Sequence, residues 1–176
     1  MIMNIVLIGM RGSGKTTISK ILSDLLNRKI VSIDKSIENK SGMKISEIVE
    51  IFGWKKFRDL ETSALLRVSK LNNAIIDCGG GIVVREENIN LLRNKSILIW
   101  LEASVKTLLA RIGKGSNRPY LTSAKNRAED VVNILEERKK LYMNAADFII
   151  KTDDKKPEKI AREIIEFFNH YDRLKN

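Results

Sequence analysis

The 176-residue chain is short of several things, and each shortage excludes a class of protein. It has one cysteine, Cys78, so no internal disulfide framework can staple it, and a reducing compartment suits it. No apolar run approaches the roughly 20 residues of a membrane-spanning helix. Residues 1–8 lack the charged front and small-residue cleavage site of a signal peptide and read as a core strand, so a cytoplasmic chain is expected. There are no repeats and no low-complexity segments. The net charge is +10, yet no Lys/Arg tract of five or more occurs, nor any basic ribbon interleaved with aromatics. Scattered charge of this kind argues against a nucleic-acid surface and for an anion site on a basic background. The single histidine, His170, lies in a polar C-terminal helical stretch and reads as bystander surface.

What is present suits one globular domain: 43% hydrophobic and 31% charged residues, in a chain long enough to bury a core. Apolar strands are expected at 4–8, 29–33, 74–77, 96–101 and 148–151. Helices are expected at 16–27, 34–40, 45–51, 55–70, 86–92, 105–111, 124–145 and 157–171. This alternation predicts an α/β domain, a parallel sheet covered by helices on both faces. The helical excess at 34–70 is more than a crossover needs and reads as a substrate-binding lobe. The polar, glycine-rich stretch within 113–124 interrupts two helices and reads as a mobile, lid-forming loop.

The most informative stretch is Gly9-Met10-Arg11-Gly12-Ser13-Gly14-Lys15-Thr16. It fits the phosphate-binding pattern G-x-x-x-x-G-K-[ST], with an apolar strand before it and a helical pattern after it. Glycines let backbone N–H groups approach phosphate oxygens, and a helix start adds the positive end of its dipole. Gly12, Ser13, Gly14, Lys15, Thr16 and Thr17 are therefore expected to hold the phosphates of ATP. Lys15 supplies a point charge, and the Thr16 hydroxyl is a ligand for Mg²⁺.

Other constellations follow along the chain. Asp34 closes the second strand, where a carboxylate can take a proton from an attacking hydroxyl or simply cap a helix. Arg58 and Glu61, three apart on a helix, form either a surface ion pair or a carboxylate-binding arginine with its support. Gly79, Gly80 and Gly81 end an apolar strand and allow a ligand to approach the backbone. Arg118, before Pro119, sits in the expected lid, where it can neutralise charge on a moving phosphoryl group; Arg111 lies seven residues upstream. Arg138 on its own spacing reads as a solvated helix face. Trp54, Trp100 and Cys78 read as packing residues.

Together these motifs resemble shikimate kinase over nearly the whole chain: the phosphate loop, Asp34 with Ile37-Glu38, Phe57-Arg58 with Glu61, the three glycines, Arg118-Pro119, and Arg138 with Tyr142. The resemblance implies a P-loop kinase fold of the nucleoside-monophosphate-kinase type, three layers with a five-stranded sheet in the order 2-3-1-4-5. It implies ATP-dependent phosphorylation of the shikimate 3-hydroxyl, on the route to chorismate and the aromatic amino acids. By similarity Asp34 binds the shikimate hydroxyls and takes the proton, while Arg58, Arg138 and Gly81 hold its carboxylate, with Gly79 and Gly80 lining the pocket. Lys15 and Arg118 grip the transferring phosphate, and Arg111 and Pro157 flank adenine. A monomer acting on a small molecule, without nucleic acid or membrane, is expected.

The chain departs from the family in two places. The family usually shows Asp-x-Asp after strand two, its first Asp helping to hold Mg²⁺; this chain has Ser32-Ile33-Asp34. Before the glycines the family usually has a small residue and Thr; this chain has Asp77-Cys78. Asp77 ends the strand placed beside the phosphate-loop strand, so Thr16 and Asp77 are expected to be the metal ligands. The competing readings are a kinase for another small molecule such as gluconate, and a nucleotide-dependent switch or nucleic-acid binder.

Overall fold

A computed structural model describes residues 3–112 and 120–175. Five strands form one parallel sheet: β1 (Asn4–Ile8), β2 (Lys29–Ser32), β3 (Ala74–Asp77), β4 (Ser96–Glu102) and β5 (Phe148–Lys151). Their order is β2-β3-β1-β4-β5, the order the resemblance implies. The central strands are apolar without alternation because helices cover both faces. Val6 and Ile8 of β1 point into one core cluster, Ile5 and Leu7 into the other, and all four are fully buried. Each such side chain contributes roughly 1.5–3 kcal/mol of burial.

The two faces are unequal. One is covered by α1 (Lys15–Leu26) and α7 (Pro157–Lys175), through Ile18, Leu22, Ile160 and Ile164. The other carries α2 (Ile33–Ser41), α3 (Ile45–Val68), α4 (Glu86–Arg93) and α6 (Arg127–Ala145), and this larger layer bears the site. A short helix, α5 (Val105–Ile112), follows β4. A single 3₁₀ turn at Ile82–Val84, which the sequence periodicity did not reveal, follows β3.

Two expected helices, 45–51 and 55–70, run together as α3, but Gly53 breaks the helical geometry between them, with φ 77° and ψ 168°. Glycine alone occupies that region cheaply, so the kink is written at this residue. β2 ends one residue earlier than expected. Ser32 is the N-cap of α2, its side chain accepting from the Lys35 N–H, and Ile33 is already helical and fully buried. The capping alternative for Asp34 is thereby removed. Among the described residues, no helix is long and apolar enough to cross a membrane.

Candidate active site

The site forms where the strand order reverses, at the carboxyl ends of β1, β2 and β3. The phosphate loop joins β1 to α1. Gly12 and Gly14 hold positive φ, 84° and 98°, and a Cβ on Gly12 would meet Ile112 at 2.9 Å. Lys15 is buried, and its Nζ donates to the carbonyls of Gly9 at 2.8 Å and Met10 at 2.9 Å. This anchors the cation across the mouth of the loop. Thr16 donates its hydroxyl to Asp77 Oδ2 at 2.7 Å. Burial pushes the Asp77 carboxyl above its ordinary pKa, while Lys15 and the Thr16 bond pull it back.

Gly12, Gly14, Lys15, Thr16 and Thr17 line one open cavity with Arg111 on its rim. Arg111 is held by Thr152, through Oγ1 at 3.0 Å and the carbonyl at 2.9 Å. Ser13 is buried beneath the loop, its N–H donated to the Met10 carbonyl at 3.1 Å, and Pro157 opens α7; neither lines this cavity. Arg118 lies outside the described residues, as do Pro119 and most of the expected lid.

A second cavity adjoins the first. Arg11, Asp34, Gly79 and Gly80 line both. Beyond them it is walled by Trp54, Phe57, Arg58, Gly81 and Arg138. Arg58 is no surface residue. It donates to Glu61, whose carboxylate is fully buried, and its guanidinium lies 5.5 Å from the Trp54 ring centre and 5.3 Å from that of Phe57. Trp54 thus lines the cavity as well as packing. Burial drives the Glu61 pKa up and nearby Asp34 adds to this, while Arg58 opposes it. Glu61 Oε1 is buried without a hydrogen-bond partner, in a wall that faces the cavity.

Arg138 corrects the solvated-face expectation. It is 6% exposed and donates to the Gly80 carbonyl at 3.3 Å, because α6 packs this face toward the glycine loop rather than toward water. Its Nε is buried and makes no hydrogen bond, with Glu137 3.9 Å away, so this donor remains for a ligand.

The three glycines are required by the protein's own side chains as much as by a ligand. A Cβ on Gly79 would lie 2.8 Å from Asp34 Oδ1 and 3.1 Å from Glu61 Oε1. One on Gly81 would overlap the Arg58 guanidinium. Asp34 and Arg58 can therefore converge only around a chain without side chains.

Two contributors escaped the individual reading of the sequence. Tyr142, one turn after Arg138, is fully buried; its hydroxyl donates to the Gly80 carbonyl and its ring stacks on Trp100 at 5.6 Å. Burial pushes its phenol pKa well up, which keeps it a donor. The i, i+4 spacing of Arg138 and Tyr142 was the available signal. Asp130 lines the second cavity and accepts from the N–H groups of Leu121 at 3.1 Å and Thr122 at 2.9 Å, holding the segment that leads into α6. No motif marked it. Cys78 is buried with its thiol pKa raised well above normal by burial, so it is no nucleophile, and His170 is exposed.

The comparisons agree with this geometry. The family model described as Shikimate kinase matches residues 11–169. A shikimate kinase of Caldicellulosiruptor bescii is 40% identical over 92% of this chain and 93% of its own length. One of Thermodesulfovibrio yellowstonii is 38% identical over 98% and 97%. Among solved structures, the shikimate kinase of Acinetobacter baumannii in complex with shikimate superposes with a TM-score of 0.91 at 30% identity, covering 97% of this chain and 94% of that one. That of Aquifex aeolicus gives 0.82 at 32% identity, over 95% and 96%. Matched by that family model over residues 11–169 and by relatives about 40% identical along nearly its whole length, this chain belongs to the shikimate kinase family.

Proposed function

We propose that this protein transfers the γ-phosphoryl group of ATP to the 3-hydroxyl of shikimate, a product that feeds aromatic amino-acid synthesis. One observation carries the reading: Asp34 stands at the border of two cavities, the phosphate loop on one side and Arg58 with Arg138 on the other. A small anionic polyol would place its carboxylate against the arginines and a hydroxyl against Asp34. Two guanidiniums around one carboxylate have no evident use for a nucleoside monophosphate, which carries none; gluconate carries one, and the acceptor assay below separates it from shikimate. The Acinetobacter baumannii relative, which holds shikimate, supports that acceptor.

In this reading Asp34 orients the 3-hydroxyl and takes its proton as the oxygen attacks the γ-phosphorus. The new O–P bond forms as the bond to the β–γ bridging oxygen breaks, and ADP leaves with that electron pair. Gly12, Gly14 and Lys15 hold the phosphates, Arg111 flanks the nucleotide base, and Arg118 is assigned to the transferring group on the family resemblance. Mg²⁺, when bound with the nucleotide, neutralises charge on the phosphate oxygens, and the Thr16 hydroxyl suits it as one oxygen ligand. Residues 34–70 act as the acceptor-binding lobe and 113–124 as the lid. A cytoplasmic monomer that needs neither nucleic acid nor membrane fits two cavities lined by one chain and a scattered basic charge.

A coupled ADP-release assay with shikimate, gluconate and nucleoside monophosphates tests the function. Turnover with shikimate alone is expected. Turnover with another acceptor and none with shikimate refutes it.

A further inference from the structure

We propose that Asp77, at the end of β3, is the carboxylate that holds the nucleotide's Mg²⁺ in this chain, and that β2 supplies none. The inference rests on reading the phosphate loop as an ATP site; it concerns which strand carries the charge.

β2 and β3 both end at the phosphate cavity, and their last residues, Ser32 and Asp77, are register partners across the ladder. The two positions offer the same space from neighbouring strands, and one of them is an acid. Ser32 is engaged elsewhere. Its hydroxyl oxygen accepts from the Lys35 N–H at 3.3 Å to cap α2, and its carbonyl accepts from Ser36 Oγ at 2.7 Å. Asp77 faces the loop instead, with Oδ2 2.7 Å from Thr16 Oγ1. Other carboxylates line the cavity but are placed differently. Glu38 Oε1 accepts from the Ile45 N–H at 3.1 Å, and Asp34 lies against Gly79 on the acceptor side.

The donor set fits the metal. A hydroxyl and a carboxylate, both hard oxygen donors, are what Mg²⁺ takes from a protein when phosphate and water complete its octahedron. Among the described residues no group of three or more His, Cys, Asp or Glu side chains could hold a metal on its own. Thr16 and Asp77 therefore make a site that is complete only with a nucleotide, and metal and nucleotide should reinforce each other's binding. Asp77 also leads through Cys78 straight into Gly79, so the metal ligand and the glycine loop of the acceptor cavity share one strand end.

Calorimetric binding of a non-hydrolysable ATP analogue, with and without Mn²⁺ as the probe cation, tests this without any turnover. The unaltered protein is expected to bind the analogue at least tenfold more tightly with Mn²⁺. Asp77→Asn should lose most of that gain while its metal-free affinity stays within twofold, which also shows that the variant is folded. Ser32→Ala should keep the gain. Asp77→Ser, which leaves Thr16 a hydroxyl partner, is the second variant should the amide not fold, and the same loss is expected. An Asp77 variant that keeps the full Mn²⁺ gain, or a Ser32→Ala variant that loses it, overturns the assignment. No acceptor is present, so the result is independent of whether shikimate is the substrate.

Discussion

The phosphate loop and the acceptor cavity meet at Asp34, yet they are built on different plans. The loop is contiguous: residues 9–17 turn from β1 into α1, and its shape is a backbone shape, set by positive φ at Gly12 and Gly14. The acceptor cavity is assembled from α2, α3, the loop after β3, and α6, with Met10 and Arg11 of the phosphate loop at its border, so its members run from 10 to 138 in the sequence. It is a side-chain structure, supported by the part-buried Arg58–Glu61 ion pair and by glycines that leave room for it. A contiguous backbone site tolerates change elsewhere in the chain. A dispersed side-chain site depends on every element that brings a member to it.

The largest effect should come where the two plans meet. Asp34→Asn is expected to lower kcat by roughly 10²–10⁴-fold, the usual contribution of a general base, while leaving binding of an ATP analogue unchanged. Steady-state kinetics with calorimetry checks this. A parallel loss of nucleotide binding would mean that Asp34 belongs to the loop rather than to the border.

Arg58→Ala should raise the KM for shikimate roughly 10- to 150-fold, from a charge-assisted hydrogen bond of about 1.5–3 kcal/mol, with the KM for ATP nearly constant. Gly81→Ala should act in the same direction, because the new methyl overlaps the Arg58 guanidinium. The double variant should then be clearly less than additive. Additive effects would separate the glycine loop from Arg58.

Tyr142→Phe removes a hydroxyl that donates to the Gly80 carbonyl and lies against Arg138, and should cost about 0.5–1.5 kcal/mol. We expect a shikimate KM higher by roughly two- to tenfold, an unaltered ATP KM, and a melting temperature a few degrees lower. A drop in melting temperature with no change in KM would make Tyr142 a packing residue and nothing more.

The smallest effect lies on the nucleotide side. Asp153 accepts from Ser104 Oγ at 2.6 Å and from Thr107 Oγ1 at 2.5 Å, which lowers its pKa to about 2. The unfolded value is near 3.9, so the stabilisation is fully present above about pH 4 and is lost as pH falls toward 2. Denaturant titrations at pH 6 and pH 3 should show Asp153→Asn flattening this dependence slightly. An unchanged slope would show that the two hydroxyls do not favour the charged form.

The same contrast governs what could be read in advance. The strand order came from the resemblance, whereas the strands themselves were visible because a doubly covered parallel strand carries an unbroken apolar run, as at 5–8 and 97–101. Thr16 and Asp77 were expected to be metal ligands; the structure brings them within a 2.7 Å hydrogen bond, because β3 ends beside β1, whose loop leads into α1. Arg138 misled when read alone because a charged run, Glu136-Glu137-Arg138-Lys139-Lys140, hides one inward residue among outward ones. Only the rotation of α6 against the glycine loop decides which charge turns in.

By itself the sequence determined what depends on neighbours in the chain: the phosphate loop, the kink at Gly53, and most of the element boundaries. These are local consequences of backbone sterics and of hydrophobic period. Tertiary structure alone decided that Glu61 is buried beneath Arg58, that Ser32 caps a helix while Asp77 faces Thr16, and that Tyr142 and Arg138 share the Gly80 carbonyl. The reason is physical. A side chain's partners across 60 residues of chain are set by how helices rotate and pack on the sheet, and that packing is a property of the whole core.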